Sequence, residues 1–280
     1  MTADELEAAA REFTLNSPDN RVPADKAHRP RIAGMQIFDE PILGYARPDD
    51  GYFLALKEDP AAFMAEFERP SWWLPEARTV IALYLPFTER VRKSNLRDMD
   101  WPSQEWLNAR IEGQEFIRSL TGHLAERLAQ AGFSALAPFF DPRFWYRSVY
   151  PNEEFPVSRA FTSNWSERHI AYACGLGTFS LSTNLITKKG TAGRFGSLVT
   201  SLALPVVPRP YSSLYEYCCR CGACARNCPM EAITKEGGKD MSPCKTLLGQ
   251  TRAAKPPYYG CGKCQVGVPC ETGIPKAMAV

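Results

Sequence analysis

The chain has 280 residues, 45% of them apolar and 23% charged, and its 33 Lys and Arg nearly balance 31 Asp and Glu for a net charge of +2. That composition excludes a disordered chain and shows no basic excess of the kind that binds polyanions, so no nucleic-acid partner is expected. No run approaches 18 apolar residues, so no membrane-spanning helix is expected, and the length suits one large domain or two ordinary ones.

The N-terminus, MTADELEAAAREF, is acidic and helix-like. It lacks a basic segment leading into an apolar one and lacks a twin arginine, so a cytoplasmic location is the expectation. Residues 1–70 read as a short helix, a proline-rich connection and a second helix opened by Asp59-Pro60. TVIALYLPF (79–87) is a short β-branched and aromatic run closed by proline, a buried strand. ERVRKSNLRD (89–98) reads as a solvated loop. Trp106, Ile111, Phe116, Ile117, Leu120, Leu124 and Leu128 recur at helical spacing and predict the longest helix over 104–132, ended by Gly132. FSALAPFF follows as a strand. Residues 165–174 read as a helix capped by Ser163 or Asn164. NLIT (184–187) and GSLVTSLAL (196–204) read as strands around a Lys-Lys-Gly turn. Prolines 205, 208 and 210 then mark a boundary near 205–215.

Nine of the ten cysteines lie between Cys218 and Cys270. Disulfide-stapled secreted chains spread their cysteines, whereas clustering at one end of a cysteine-poor chain points to metal. Cys218, Cys221, Cys224 and Cys228, followed by Pro229, match the bacterial ferredoxin run C-x2-C-x2-C-x3-C-P. Three thiolates at intervals of three residues wrap one cubane from a tight loop, and the fourth reaches the other cluster. Zinc is the competitor, but two C-x2-C pairs would serve it and leave the third close cysteine and the proline unexplained. The complementary ligands are Cys244, Cys261, Cys264 and Cys270. The swapped pairing gives cluster one Cys218, Cys221, Cys224 and Cys270, and cluster two Cys228, Cys244, Cys261 and Cys264. Cys219 reads as a buried bystander. Gly222, Gly260 and Gly262 are expected to let backbone amides approach the sulfides.

The stretch SERHIAYACGLGTFSLSTNLITKKGTAGRFGSLVTSLALP (166–205) resembles epoxyqueuosine reductases and reductive dehalogenases, through Glu167, Arg168, Gly175-Leu176-Gly177, Leu185-Ile186, Gly196-Ser197 and Thr200. The resemblance implies an α+β chain. A nitroreductase-like, cobalamin-binding α/β domain (1–210) would precede a ferredoxin-type domain (211–280) with two 4Fe–4S clusters. It also implies that Gly175, Leu176, Gly177, Gly196, Ser197 and Thr200 contact the corrin; an ordinary helix cap and turn is the competing reading of the glycines. No cobalamin D-x-H-x-x-G motif is present, and His28, His123 and His169 read as packing or surface residues.

The chain departs from the relatives in ways that matter. The family's aspartate six residues before the glutamate of E-R falls on Phe161, and no Asp or Glu occurs from 155 to 166. GTFSLS stands where the family has a glycine–lysine pair, and Cys174 replaces an alanine. The C-terminal helical repeats that suit a tRNA substrate are not expected. A replacement proton donor is sought in FWYRSVYPNEEFPVSR (144–159): Tyr146, Tyr150, Glu153 or Glu154, with Arg147 or Arg159 to stabilise a tyrosinate. The expected function is a reductase that takes electrons from an external low-potential donor and passes them through two clusters to cobalamin and a small organic substrate. Two other readings stand beside it: reductive activation of a partner corrinoid protein, and a flavin in place of cobalamin.

Overall fold

The computed structural model describes residues 1–58, 66–148 and 161–276. In chain order these form α1 (Ala3–Asn16), β1 (Ile42–Ala46), α2 (Gly51–Glu58), α3 (Pro70–Trp73), β2 (Thr79–Pro86), α4 (Glu89–Ser94), α5 (Gln104–Gln130), β3 (Ala135–Leu136) and β4 (Tyr146–Ser148). Then come β5 (Phe161–Ser163), α6 (Glu167–Ala173), β6 (Gly177–Phe179), β7 (Leu185–Thr187), β8 (Gly193–Thr200), α7 (Ala223–Arg226), β9 (Ile233–Thr234), β10 (Gly238–Lys239) and α8 (Met241–Ala254).

The central sheet is antiparallel, in the order β1-β2-β8-β3. Every residue of β2 is buried because the strand is covered on both faces. Ile81, Leu83 and Leu85 join Leu198, Phe116, Ile117 and Leu120 in one apolar layer under α5. The alternate residues Val80, Ala82 and Tyr84 join Val199, Ile170, Trp73 and Trp165 in the other layer, under α6. Each such side chain, taken fully out of water, stabilises the fold by roughly 2 kcal/mol. The mixed helix and sheet architecture matches the α+β expectation.

The long helix opens on Ser103, whose hydroxyl accepts from Trp106 N at 3.1 Å, and closes where Phe133 N returns to Leu128 O at 3.0 Å. Other expectations need correction. The stretch 89–98 is not a loop: α4 buries Val91 and Ser94, and Arg92 reaches Phe87 O at 3.0 Å and Glu271 at 3.0 Å. FSALAPFF pairs only through Ala135 and Leu136, because Pro138 opens a 3-10 turn. Strand β8 spans 193–200 because its partner β2 runs only from Thr79 to Pro86. Neither Ser163 nor Asn164 caps α6. Ser163 Oγ donates to Trp165 O at 2.7 Å, and the Asn164 amide binds Trp145 N and Arg143 O at 3.0 Å each. A helix is described at 51–58, while Asp59-Pro60 lies outside the described residues.

The cysteine region packs on the upstream layers. Val266 shares the α5 core, Tyr258 Oη reaches Lys26 O (3.0 Å) and Glu112 (2.9 Å), and Thr191 N donates to Cys270 O at 2.9 Å. Among the described residues no helix is long and apolar enough to cross a membrane.

Candidate metal centre and an adjoining arginine recess

All ten cysteines are free thiols. Two turns of the same shape carry four of those in the module. Gly222 in Cys221-Gly222-Ala223-Cys224 has φ 73°, ψ 6°, and Gly262 in Cys261-Gly262-Lys263-Cys264 has φ 74°, ψ 6°. Each glycine opens a short helical turn in the left-handed region that other residues avoid. A β-carbon on Gly262 would stand 2.0 Å from the Trp106 ring; on Gly222 it would meet only the flexible end of Lys235, at 2.6 Å.

Cys218, Cys221, Cys224 and Cys270 line one small pocket with Ser180, Leu181, Ser182, Ile186 and Val268. Burial pushes the Cys270 thiol up to about 12, and the nearby Cys218, Cys224 and Cys221 add to the shift. Cys224 is pushed up to about 11, first by burial and then by Cys264, Cys218 and Cys221. A second set lies beside the first. Burial raises Cys261 to about 12, with Cys264 and Cys244 contributing; it also raises Cys244, whose other neighbours are Lys239, Cys264 and Cys228. Cys244 sits in the first turn of α8, where Asp240 accepts from Ser242 N at 2.8 Å and the helix dipole favours a thiolate. Crowded thiols of this kind stay protonated alone and become thiolates only when a cation binds. Among the described residues no three His, Cys, Asp or Glu converge closely enough to hold a single metal ion. The thiols of the first set line a common pocket, as a cubane's ligands must. Cys219 is half-buried and lines the first pocket, a correction to the buried bystander. Arg220, at φ 48°, turns the chain between Cys219 and Cys221.

Hydrogen bonds reach the second set from outside it. Ala232 N donates to Cys228 Sγ at 3.3 Å, and Asn184 Nδ2 donates to Cys264 Sγ at 3.4 Å. Lys263 is fully buried, with Nζ donating to Asn95 O (2.7 Å) and Oδ1 (3.0 Å), while Asn95 Nδ2 donates to Cys261 O at 2.9 Å. Burial disfavours the Lys239 charge, but Cys264 and Cys244 beside it outweigh that and raise its pKa.

Arg168 borders this second set. It is exposed, yet crowding protein lowers its pKa, an effect that Cys264 opposes and Arg110 reinforces. Arg168 Nη2 donates to Asn184 Oδ1 at 3.2 Å, and the guanidinium groups of Arg110 and Arg194 lie nearby. The pKa of Arg194 is depressed to about 9 by burial and by Arg110 and Arg168. Arg110 stacks 4.4 Å over the Tyr259 ring, and together with Arg252 and Arg194 it holds that phenol below its usual range although burial opposes the shift. Burial raises Glu167 to about 7, and Ser197 and Arg194 only partly offset it; both its carboxylate oxygens are buried without a well-formed hydrogen bond. His169 is depressed to about 4 by burial and then Arg168, and it shares a 2.9 Å hydrogen bond with Ser166.

The six expected cofactor contacts are occupied elsewhere. Gly175 (φ 79°) ends α6, with Leu176 N bonding Ala171 O at 3.0 Å, and Leu176 packs in the core. Gly177 lies where a β-carbon would stand 1.9 Å from Ile186 O, so it serves the β6–β7 hairpin. On Gly196 a β-carbon would stand 2.7 Å from Ile117 Cγ2, so it seats α5 on the sheet. Ser197 is 1% exposed and accepts from Trp165 Nε1 at 2.9 Å. Thr200 is fully buried, with Oγ1 donating to Ser134 O at 2.8 Å and accepting from Leu202 N at 3.1 Å. The bonds and packing of these residues hold the scaffold together. Of the proposed proton donors, Tyr146 is 71% exposed on β4. Its neighbour Arg147 points to the opposite face, ion-paired to Glu66 and 5.1 Å over the Trp145 ring, so it does not support a tyrosinate there. Tyr150, Glu153, Glu154 and Arg159 lie outside the described residues.

Sequence reasoning missed Asn184, Lys239, Arg110 and Tyr259, which meet the site only through contacts distant in sequence. Arg194 carried a faint signal, as a charge in the half-buried start of a strand whose remaining residues are buried.

No family model matches the chain. It is 25% identical over 238 residues to an epoxyqueuosine reductase of Staphylococcus aureus, covering 80% of this chain and 56% of that protein. It is 27% identical over 224 residues to an epoxyqueuosine reductase of Vibrio cholerae, covering 74% and 53%. The chain thus spans about half the length of these curated relatives. In structure it is similar to a catabolic reductive dehalogenase (TM-score 0.53, 17% identity, 84% of this chain and 30% of that one). It is also similar to a selenomethionine-labelled epoxyqueuosine reductase (TM-score 0.52, 16% identity, 98% and 67%). In sequence over most of its length, and in fold, the chain is thus similar to epoxyqueuosine reductases and reductive dehalogenases.

Proposed function

We propose that the chain is an iron–sulfur reductase in which each of the two cysteine sets holds a 4Fe–4S cluster. The observation that carries this reading is the donor set: four thiols around one pocket, and four more beside them. Bound by such thiolates, a 4Fe–4S cluster supplies one-electron transfer. Residues 211–280 supply the ligands, and residues 1–210 supply the layer against which the second set packs. An external low-potential donor delivers the electrons, in the cytoplasm, and a small organic substrate accepts them.

The family likeness implies cobalamin, but the six residues expected to hold it do not fit that role, so no step is assigned to it. The arginine recess beside the second set is the place where an acceptor would meet the electrons: its three guanidinium groups attract a polar or anionic group, and Glu167 is able to hold a proton near neutral pH. That same mismatch favours a second reading, in which the chain hands electrons to a partner corrinoid protein. Anaerobic reconstitution tests both. Two clusters require about eight irons per chain. Corrin absorbance that survives gel filtration supports a bound cobalamin, and its loss with both clusters intact supports the partner. Iron at about one atom per chain would overturn the cluster reading.

A further inference from the structure

The two cysteine sets differ in what surrounds them. The first pocket is lined by serines, aliphatic side chains and Pro275, with no cation among its lining residues. Its charged neighbours are exposed, Arg226 donating to Cys221 O at 3.1 Å and Lys235 lying against Gly222, and solvent screens both. The second set has Lys239, half-buried and beside Cys244 and Cys264, and it has Asn184.

Asn184 is 4% exposed, and its orientation is fixed by its partners. Its Oδ1 accepts from Arg168 Nη2 at 3.2 Å and from Gln265 Nε2 at 3.3 Å. A guanidinium only donates, so Oδ1 must face it, and the amide N–H groups must face the other way. There Nδ2 donates to Cys264 Sγ at 3.4 Å and to Ser182 Oγ at 2.9 Å. Hydrogen bonds to ligand sulfur and nearby positive charge each favour the reduced form of a cluster, which carries one more negative charge.

We infer that Asn184, oriented by Arg168 and Gln265, and Lys239 are positioning residues that set the reduction potential of a cluster at the second cysteine set above that of one at the first. This rests on the reading that both sets hold 4Fe–4S clusters. An external donor then gives one electron to the first cluster. The second cluster takes it, the first returns to its oxidised state, and no bond or proton changes place. The electron comes to rest at the second set, beside Arg168, and not at the first pocket.

The test is a redox titration of the anaerobically reconstituted full chain with dithionite and mediators, followed by electron paramagnetic resonance. The second-set signal is the one that survives Cys270→Ala. Asn184→Leu shifts the midpoint of that signal to more negative potential and leaves the other in place. Lys239→Gln shifts the same signal in the same direction, and it gives a separate reading if Asn184→Leu loses iron. Arg226→Gln moves neither. Unchanged midpoints in both Asn184→Leu and Lys239→Gln at full iron content would overturn the inference and leave the two-cluster reading standing. A shift of the first-set signal, or an equal shift from Arg226→Gln, overturns it as well. Wild-type protein without two signals overturns the two-cluster reading itself, and the inference with it.

Discussion

The cysteine module and the glycine-bearing stretch 175–200 both look like places where backbone approaches a cofactor, and they differ in what their groups are free to do. In the module, Gly222 and Gly262 shape matching turns, and the thiols of the first turn line a pocket with Cys218 and Cys270. In 175–200, the glycines cap a helix, close a hairpin and seat α5, and the hydroxyls of Ser197 and Thr200 are bound internally. Left-handed backbone and close approach are thus common to both regions, and only the direction of the polar groups separates a ligand cradle from a scaffold joint.

The sharpest way to break this comparison is to remove a ligand. Cys270→Ala should lose about half of the bound iron, measured by iron and sulfide assay, because four of eight thiolates belong to each cluster; equal loss of both signals would show that the two sets bind only as a unit. Next comes the pair of matching turns. Gly262→Ala places a methyl into the Trp106 ring as well as a side chain at φ 74°, and should cost about 3 kcal/mol in denaturant unfolding. Gly222→Ala meets only the flexible Lys235 and should cost about 1 kcal/mol. Equal costs would mean that the Trp106 contact does not form.

Glu167 sharpens the contrast from the recess side. Its carboxyl titrates at about 7 in the folded chain against 4.5 in the unfolded one, so the folded state retains a proton that the unfolded state releases. Its contribution to stability is therefore fully present below pH 4.5 and is lost as pH rises toward 7. Glu167→Gln should flatten that decline, by ~2 kcal/mol once partial contact with solvent is allowed for, as read from unfolding midpoints across this range. The smallest effect is expected at Ser197. Ser197→Ala removes the acceptor of a buried indole N–H, should cost about 1 kcal/mol, and should leave retention of any added cobalamin unchanged. Lost retention with stability intact would restore Ser197 as a cofactor contact.

Much of the architecture was legible along the chain. The β2 run and the α5 periodicity were readable because burial on two faces, or along one stripe, writes itself into local sequence. The short pieces were not. Strand β3 stops at two residues because Pro138 follows, and α4 forms in a charged run because Val91 and Arg92 find partners on Phe87 and Glu271. The E-R pair was legible as a family likeness. What Arg168 touches was not, since Asn184 and Cys264 lie 80 residues apart in the chain.

The sequence by itself determined the ligand chemistry of the module: which side chains are soft donors, at spacings that only a tight glycine-bearing loop satisfies, within one stretch of chain. It also led to the pairing of Cys270 with Cys218, Cys221 and Cys224, which line one pocket, whereas only the tertiary structure decided that Asn184 and Lys239 stand against the second set and that Ser197 and Thr200 face inward. Thiolate spacing is a local property of the backbone. The direction of a hydroxyl and the company of a sulfur depend on which distant layer packs against them.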